Sequence, residues 1–172
     1  MHYHIFSVPF EYMAILFESS PFSVKRILLP RKNKKSLERL VRRAGGIREK
    51  RHLVPLLKEL TQKIQGYFQG RPIDCTWDIL DLQNLTGLQI RVLQETASNP
   101  YGSVRSYGEI AERIGRPKAA RFIGATMARN PFPIVIPCHR VIGAKGRLGG
   151  YGGGLELKKR LLELEKAVKL LS

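Results

Sequence analysis

The 172-residue sequence predicts an α/β amino-terminal domain, a small sheet with helices, followed by a mostly α carboxy-terminal domain containing a helix-turn-helix. Three observations predict it. Residues 2–8, 12–18 and 24–29 are rich in Ile, Val, Phe, Tyr and Leu and are broken by Pro9, Ser19-Ser20-Pro21 and Pro30, as short strands parted by turns are. Leu53, Leu56, Leu57, Leu60 and Ile64 then recur at helical spacing. Further on, two helical segments flank Gly115, and a short Gly-containing turn between helices is the helix-turn-helix pattern. The boundary is set near residue 85, giving domains 1–85 and 86–172.

Taken in order, the three strands lead into a basic loop from Arg31 to Lys35, and a helix is expected to begin near Ser36. A second helix is expected from about Arg48 to Phe68, with Pro55 tolerable only near its first turn. Residues 70–85 read as an extended connection. Leu88 to Ala97 form the next helix, closed by the turn Asn99-Pro100-Tyr101-Gly102. Ser106-Tyr107-Gly108-Glu109 fits a capping box, in which the Ser106 hydroxyl and Glu109 carboxylate satisfy N–H groups at a helix start. Tyr107, Ile110, Ala111 and Ile114 then make one apolar stripe. Gly115 ends that helix, Pro117 suits the first turn of the next, and Asn130-Pro131 stops it after Arg129.

Apolar content of 43% marks a globular chain. Its 30 Lys and Arg against 14 Asp and Glu give a formal +16, which favours a polyanionic partner: nucleic acid or an anionic membrane surface. The excess is spread along the chain, +7 over residues 1–85 and +9 over residues 86–172. No stretch approaches the ~18–20 apolar residues of a spanning helix, so a membrane is the weaker choice. The apolar start lacks a basic n-region and is interrupted by Glu11 and Glu18, unlike a signal peptide. Two cysteines, Cys75 and Cys138, are too few for a disulfide framework and suit a reducing, intracellular compartment: the cytoplasm, or the nucleus in a eukaryote. His2 and His4 have no Cys-x-x-Cys or His-x3-His pair to complete a metal site, so no metal is expected. The Gly-rich tract contains no nucleotide-binding fingerprint.

The segment from Lys118 to Arg129 has two unlike faces. Ala119, Phe122, Ile123, Thr126 and Met127 share a core face. Opposite them lie Lys118, Arg121, Gly124, Ala125, Ala128 and Arg129. Small residues let a backbone come close to another surface, and the cations suit an anionic one, so this face is expected to meet DNA. An ordinary surface helix is the competing reading.

The run Ile134-Val135-Ile136-Pro137-Cys138-His139-Arg140-Val141 is the densest in reactive chemistry. A strand-like apolar segment is stopped by proline, then followed by a thiol, an imidazole and a guanidinium. Reactive sulfur needs a lowered pKa, which basic neighbours supply. Adjacent side chains of an extended chain point apart, so Cys138 and His139 work together only if Pro137 starts a turn. An inert buried cysteine is the commoner fate.

These residues also carry a family resemblance. Ser106-Tyr107, Arg116-Pro117-Lys118-Ala119-Ala120-Arg121, Asn130-Pro131, Pro137–Val141, Tyr151-Gly152-Gly153-Gly154-Leu155 and Leu161-Leu162…Glu165 occur in the order found in the O6-alkylguanine-DNA alkyltransferases. The resemblance covers residues 86–165 nearly without gaps; residues 1–85 match only loosely, as the variable domain in front. It implies a ribonuclease H-like first domain, a winged-helix-like second, and a helix-turn-helix that enters the minor groove while the damaged base is turned out of the stack.

The resemblance also assigns roles. Cys138 is the alkyl acceptor, His139 the base acting through a water, and Glu165 the carboxylate fixing the imidazole. Read from the helix pattern alone, Glu165 is a solvated residue beside Glu163. Tyr107 helps displace the base and donates to the purine, although its stripe equally makes it a core residue. Arg121 fills the space the base vacates, with a phosphate contact as the rival role. Asn130 braces the turn of the nucleophile, or merely caps the helix. Ser106, Lys118, Ala119, Gly124, Ala125, Ala128 and Arg129 contact DNA. Val141, Tyr151 and Gly152 rim the pocket for the base, and Arg140 is structural. Position 152 departs from members that place a serine hydroxyl there to contact guanine O6, which opens the pocket to bulkier adducts or O4-alkylthymine.

The implied activity is irreversible, stoichiometric transfer of an alkyl group from O6 of guanine in duplex DNA to Cys138, a methylated-DNA–protein-cysteine S-methyltransferase that reacts once. No cofactor is expected, because the alkyl group is already activated on the base. The expected partner is double-stranded DNA containing O6-alkylguanine, met by a monomer. The competing readings are a protein that binds alkylated DNA without repairing it, which would lack the acceptor cysteine, and a Cys-His hydrolase, which would turn over.

Overall fold

The structure, a computed structural model, describes residues 1–49 and 54–167. The chain divides into two compact units, Met1–Asp81 and Leu82–Ser172.

The first unit is a four-stranded sheet with two helices. Strands β1 (His2–Val8), β2 (Glu11–Ser19) and β3 (Phe22–Arg31) form an antiparallel meander, and β4 (Ile47–Arg48) adds in parallel to β1, giving the order β3-β2-β1-β4. Helix α1 (Lys34–Arg43) starts two residues before Ser36, because the Asn33 side chain accepts from the Ser36 N–H at 3.1 Å and caps it. Its Leu37 and Val41 pack on Tyr3, Ala14 and Leu16 of the sheet.

Helix α2 (Pro55–Tyr67) corrects the expectation of a helix from Arg48: Arg48 pairs with Tyr3 in the sheet, and the helix opens with Pro55 at its first position. Proline lacks the N–H that a first-turn residue leaves unpaired anyway. Leu53 lies outside the described residues. Leu57, Leu60 and Ile64 are buried, whereas Leu56 is exposed. Among the described residues, the connection after α2 has no strand; it carries a 3-10 turn at Trp77–Ile79 and a bridge from Leu80 to Val24.

The second unit is mostly helical. Helix α3 (Gly87–Ala97) starts from a Thr86–Gln89 capping box. The short strand β5 (Arg105–Ser106) leads into α4 (Tyr107–Arg113), whose box is formed as the sequence predicts: the Ser106 Oγ accepts from the Glu109 N–H at 3.1 Å, and the Ser106 N–H donates to Glu109 Oε2 at 2.7 Å. Gly115 at φ +70 turns the chain out of α4. Helix α5 (Ala120–Ala128) begins three residues after Pro117, so Pro117 and Lys118 belong to the turn and not to the helix. Ile123, Thr126 and Met127 are buried; Arg121, Ala125, Ala128 and Arg129 face solvent.

The strand expected over Ile134–Ile136 is a buried tight turn. Pro133 and Ile136 bridge across it, and Ile134 takes φ +74. A β-branched residue in the left-handed region costs about 1–3 kcal/mol, and tight packing has to hold it there. Ile134 and Ile136 are both fully buried. A 3-10 turn (Cys138–Arg140), strand β6 (Val141–Ile142), a Gly-rich loop and helix α6 (Leu155–Leu164) complete the unit. Strand β6 pairs in parallel with β5, which sets the exit of the Cys138 turn beside the start of α4.

Candidate active site

Pro137 ends the buried turn, and the chain tightens into a single 3-10 turn in which the Arg140 N–H donates to the Pro137 carbonyl at 2.9 Å. With about three residues per turn, successive side chains point roughly 120° apart. Thiol, imidazole and guanidinium therefore diverge from one short segment. Asn130, just beyond α5, braces that segment: its Nδ2 donates to the Ile136 carbonyl and its Oδ1 accepts from the Phe132 N–H, both at 3.0 Å.

His139 points into the unit and is fully buried. Its Nε2 lies 2.7 Å from Glu165 Oε1. Arg140 grips the same carboxylate from the side, Nε to Oε2 at 2.8 Å and Nη2 to Oε1 at 3.1 Å, while its Nη1 donates to the Asn99 carbonyl. The Gly102 N–H adds a further donor to Oε2 at 3.1 Å. Glu165 is thus buried at the carboxyl end of α6, close in sequence to Glu163, which is exposed.

Burial sets the protonation states. It pushes the Cys138 thiol up, against the Asn130 hydrogen bond, the Lys158 charge and nearby N–H groups that pull it down. Burial, helped by the Arg140 and Lys158 charges, lowers the His139 imidazole against the Glu165 carboxylate, which raises it. Burial raises the Glu165 carboxyl, but the hydrogen bonds and charges of His139 and Arg140 outweigh it and hold that group at about 2. At neutral pH the resting site therefore holds a thiol, a neutral imidazole and a carboxylate.

Cys138 opens onto a cavity of about 480 Å³. Tyr107, Arg121, Gly124, Ala128, Tyr151 and Gly152 line it, as do Ala120, Gly150 and Met127, the last a residue expected on the core face. Helix α5 supplies one wall with its small residues and a cation; the Gly-rich loop supplies another. Gly149, at φ +66, brings the loop so close to Tyr107 that a Cβ there would lie 2.9 Å from the Tyr107 hydroxyl. The Tyr151 hydroxyl is buried with no hydrogen-bond partner among the described residues.

Other candidates sit off the cavity. Lys118, Ala125 and Arg129 are exposed on or beside α5, Ala119 caps that helix, and the Ser106 hydroxyl is taken by the capping box. The Val141 side chain is buried, and its carbonyl accepts from Lys158 Nζ at 2.7 Å. Lys158 escaped the sequence reading. It is fully buried in α6, also donates to the Leu148 carbonyl, and is lowered to about 8 by that burial. A signal for it exists: Lys158, Leu161, Leu162 and Glu165 fall at i, i+3, i+4 and i+7, one helix face, so both charged residues share the apolar stripe.

A buried thiol at a cavity lined by α5 and its Arg121, followed in sequence by an imidazole bonded to a buried carboxylate, defines the arrangement as that of a candidate cysteine site. Residues 87–167 match the family model for the 6-O-methylguanine DNA methyltransferase DNA-binding domain. The methylated-DNA–protein-cysteine methyltransferase of Mycobacterium leprae is 51% identical over 114 residues, 66% of this chain and 68% of that protein. The Mycobacterium tuberculosis protein of the same name is 50% identical over 106 residues, 61% of this chain and 62% of that protein. The crystal structure of M. tuberculosis OGT in complex with DNA superposes with a TM-score of 0.77 at 35% identity, covering 97% of this chain and 94% of that one. The chain belongs to the methylated-DNA–protein-cysteine methyltransferase family.

Proposed function

We propose that this chain repairs duplex DNA by direct reversal, taking an alkyl group from O6 of guanine onto Cys138 once and irreversibly. The single observation that carries the reading is the Cys138 thiol at the cavity lined by α5, with its imidazole neighbour tied to a buried carboxylate. The names of the relatives, and the DNA bound to the M. tuberculosis structure, point to the same substrate.

In this reading residues 86–172 carry the chemistry on a winged-helix-like scaffold, and residues 1–85 form a ribonuclease H-like support. Lys118, Ala119, Ala125, Ala128, Arg129 and Ser106 meet the backbone of the duplex, and the small residues of α5 permit its close approach. Arg121, exposed beside the cavity, takes the place of the extruded base. The base enters between Tyr107, Gly152 and Tyr151, with backbone groups of the loop and of Val141 reading its edge.

Nε2 of His139 is engaged by Glu165, so proton transfer uses Nδ1, through a water. The thiol proton passes to the imidazole and the thiolate attacks the alkyl carbon. The carbon–O6 bond breaks, and its electron pair stays with guanine as the ring gains a proton. The Tyr107 hydroxyl assists by donating to the purine. Glu165 stabilises the imidazolium while it exists. The product is a thioether with no leaving group for water to displace, so the site stays alkylated.

The test is stoichiometry. Titration with duplex carrying labelled O6-methylguanine is expected to stop at one methyl per chain. Continued turnover would indicate a hydrolytic Cys-His site, and binding with no transfer would indicate a protein that only marks the lesion.

A further inference from the structure

We propose that the exposed face of α1, in the first unit, is a second contact surface for the phosphate backbone of duplex DNA. Between Arg31 and Arg43 the chain carries seven cations against one acid, Glu38. Lys35, Arg39 and Arg42 fall at i, i+4 and i+7 and line an open groove with Asn33 and Glu38; Arg43 extends the basic surface one turn beyond Arg39. All four of these cations are exposed, and among the described residues none of the four has an ion-pair partner.

Helix stability accounts for Arg42 and Arg43, in the last turn where the dipole favours cations, but not for the cations at the other end. The first turn of α1 holds Lys34 and Lys35 and no acidic residue, so two cations sit at the positive end of the helix dipole, where they oppose helix formation. Charges placed against the local preference are explained by an anion that meets them. A lipid surface fits poorly, because an interfacial helix needs an apolar face free to insert. Leu37 and Val41 are fully buried against the sheet, and Leu40 is half-buried. Cations strung along a helix face, with Leu40 half-buried beside them, suit the evenly spaced charges of a nucleic acid backbone.

The inference rests on the reading that this protein works on duplex DNA, but its test does not depend on alkyl transfer. Binding of the full chain to undamaged duplex is measured between 50 and 200 mM salt, for the unchanged chain and for a variant with Lys35→Gln, Arg39→Gln, Arg42→Gln and Arg43→Gln. Each phosphate that the variant no longer neutralises makes the slope of log affinity against log salt shallower by about 0.9. The expected change for the fourfold variant is about 3.6, with affinity at low salt reduced tenfold or more. Its rate with free O6-benzylguanine stays that of the unchanged chain. Lys35→Gln alone is expected to weaken binding while raising Tm slightly, a pairing that partial unfolding cannot produce. An unchanged slope and affinity in the fourfold variant would overturn the proposal. So would a variant that no longer binds phosphatidylserine vesicles yet binds duplex as before. Failure of the unchanged chain to react with O6-benzylguanine would count against the alkyl-acceptor reading alone.

Discussion

Lys158 and Glu165 stand seven residues apart on one face at the carboxyl end of the chain, both buried, and each fixes a different wall of the site. Lys158 ties the Val141 and Leu148 carbonyls together, so one ammonium holds both the residue after the Cys138 turn and the loop that rims the cavity. Glu165 holds His139 and Arg140. One helix thus sets both the loop and the imidazole.

Replacing Lys158 by Met leaves two carbonyls without their donor and frees the loop. The rate with free O6-benzylguanine is expected to fall by roughly tenfold or more, the scale of a missing charged hydrogen bond. Stability carries a second signature. The Lys158 ammonium, lowered from 10.5 to about 8 in the folded chain, destabilises it fully below pH 8 and ceases to do so above pH 10.5. The unchanged chain should gain up to about 3 kcal/mol relative to the variant across that window, measured by urea unfolding.

Glu165→Gln leaves Arg140 buried without its carboxylate and His139 without its anchor. Breaking a buried pair in this way costs about 3–5 kcal/mol, readable as a lower urea midpoint. The folded carboxyl is depressed from 4.5 to about 2, so its stabilising contribution is complete above pH 4.5 and is lost as pH falls toward 2. The acid unfolding of the variant should be flatter over that range. Its alkyl transfer should be slower at neutral pH.

The glycines of the loop differ in what they tolerate. Gly149→Ala places a methyl against the Tyr107 hydroxyl at a positive φ and is expected to cut transfer to both free base and duplex. A Cβ on Gly152 meets nothing within 4 Å, so Gly152→Ser should fold normally. A serine hydroxyl at the cavity rim adds a donor for O6. The ratio of O6-methylguanine to O6-benzylguanine rates, from competition kinetics, is expected to rise severalfold.

Arg121→Ala separates extrusion from chemistry. Reaction with duplex substrate is expected to slow far more than reaction with free O6-benzylguanine, which needs no unstacking. Equal losses on both would remove Arg121 from the extrusion step.

Local patterns made much of the fold legible in the sequence. The Ser106–Glu109 box, the core face of α5 and the three strands of the meander follow from capping chemistry and periodicity, which a few adjacent residues determine. The misreadings share a cause. Ile134–Ile136 has the composition of a strand, yet surrounding packing bends it into a left-handed turn that no local rule foresees. Arg48 looks like a helix start until β1 offers an edge to pair with. Glu165 looks like a solvated helix charge because its partners, His139 and Arg140, lie 26 and 25 positions away in sequence. For Glu165 the family resemblance supplied what spacing did not.

The most direct measurement is peptide mass spectrometry after mixing the protein with a duplex containing O6-methylguanine. The account predicts one added methyl group, confined to the peptide bearing Cys138, with guanine restored in the DNA and Cys75 unmodified. A free Cys138 thiol after prolonged incubation with intact, still-methylated duplex would contradict it.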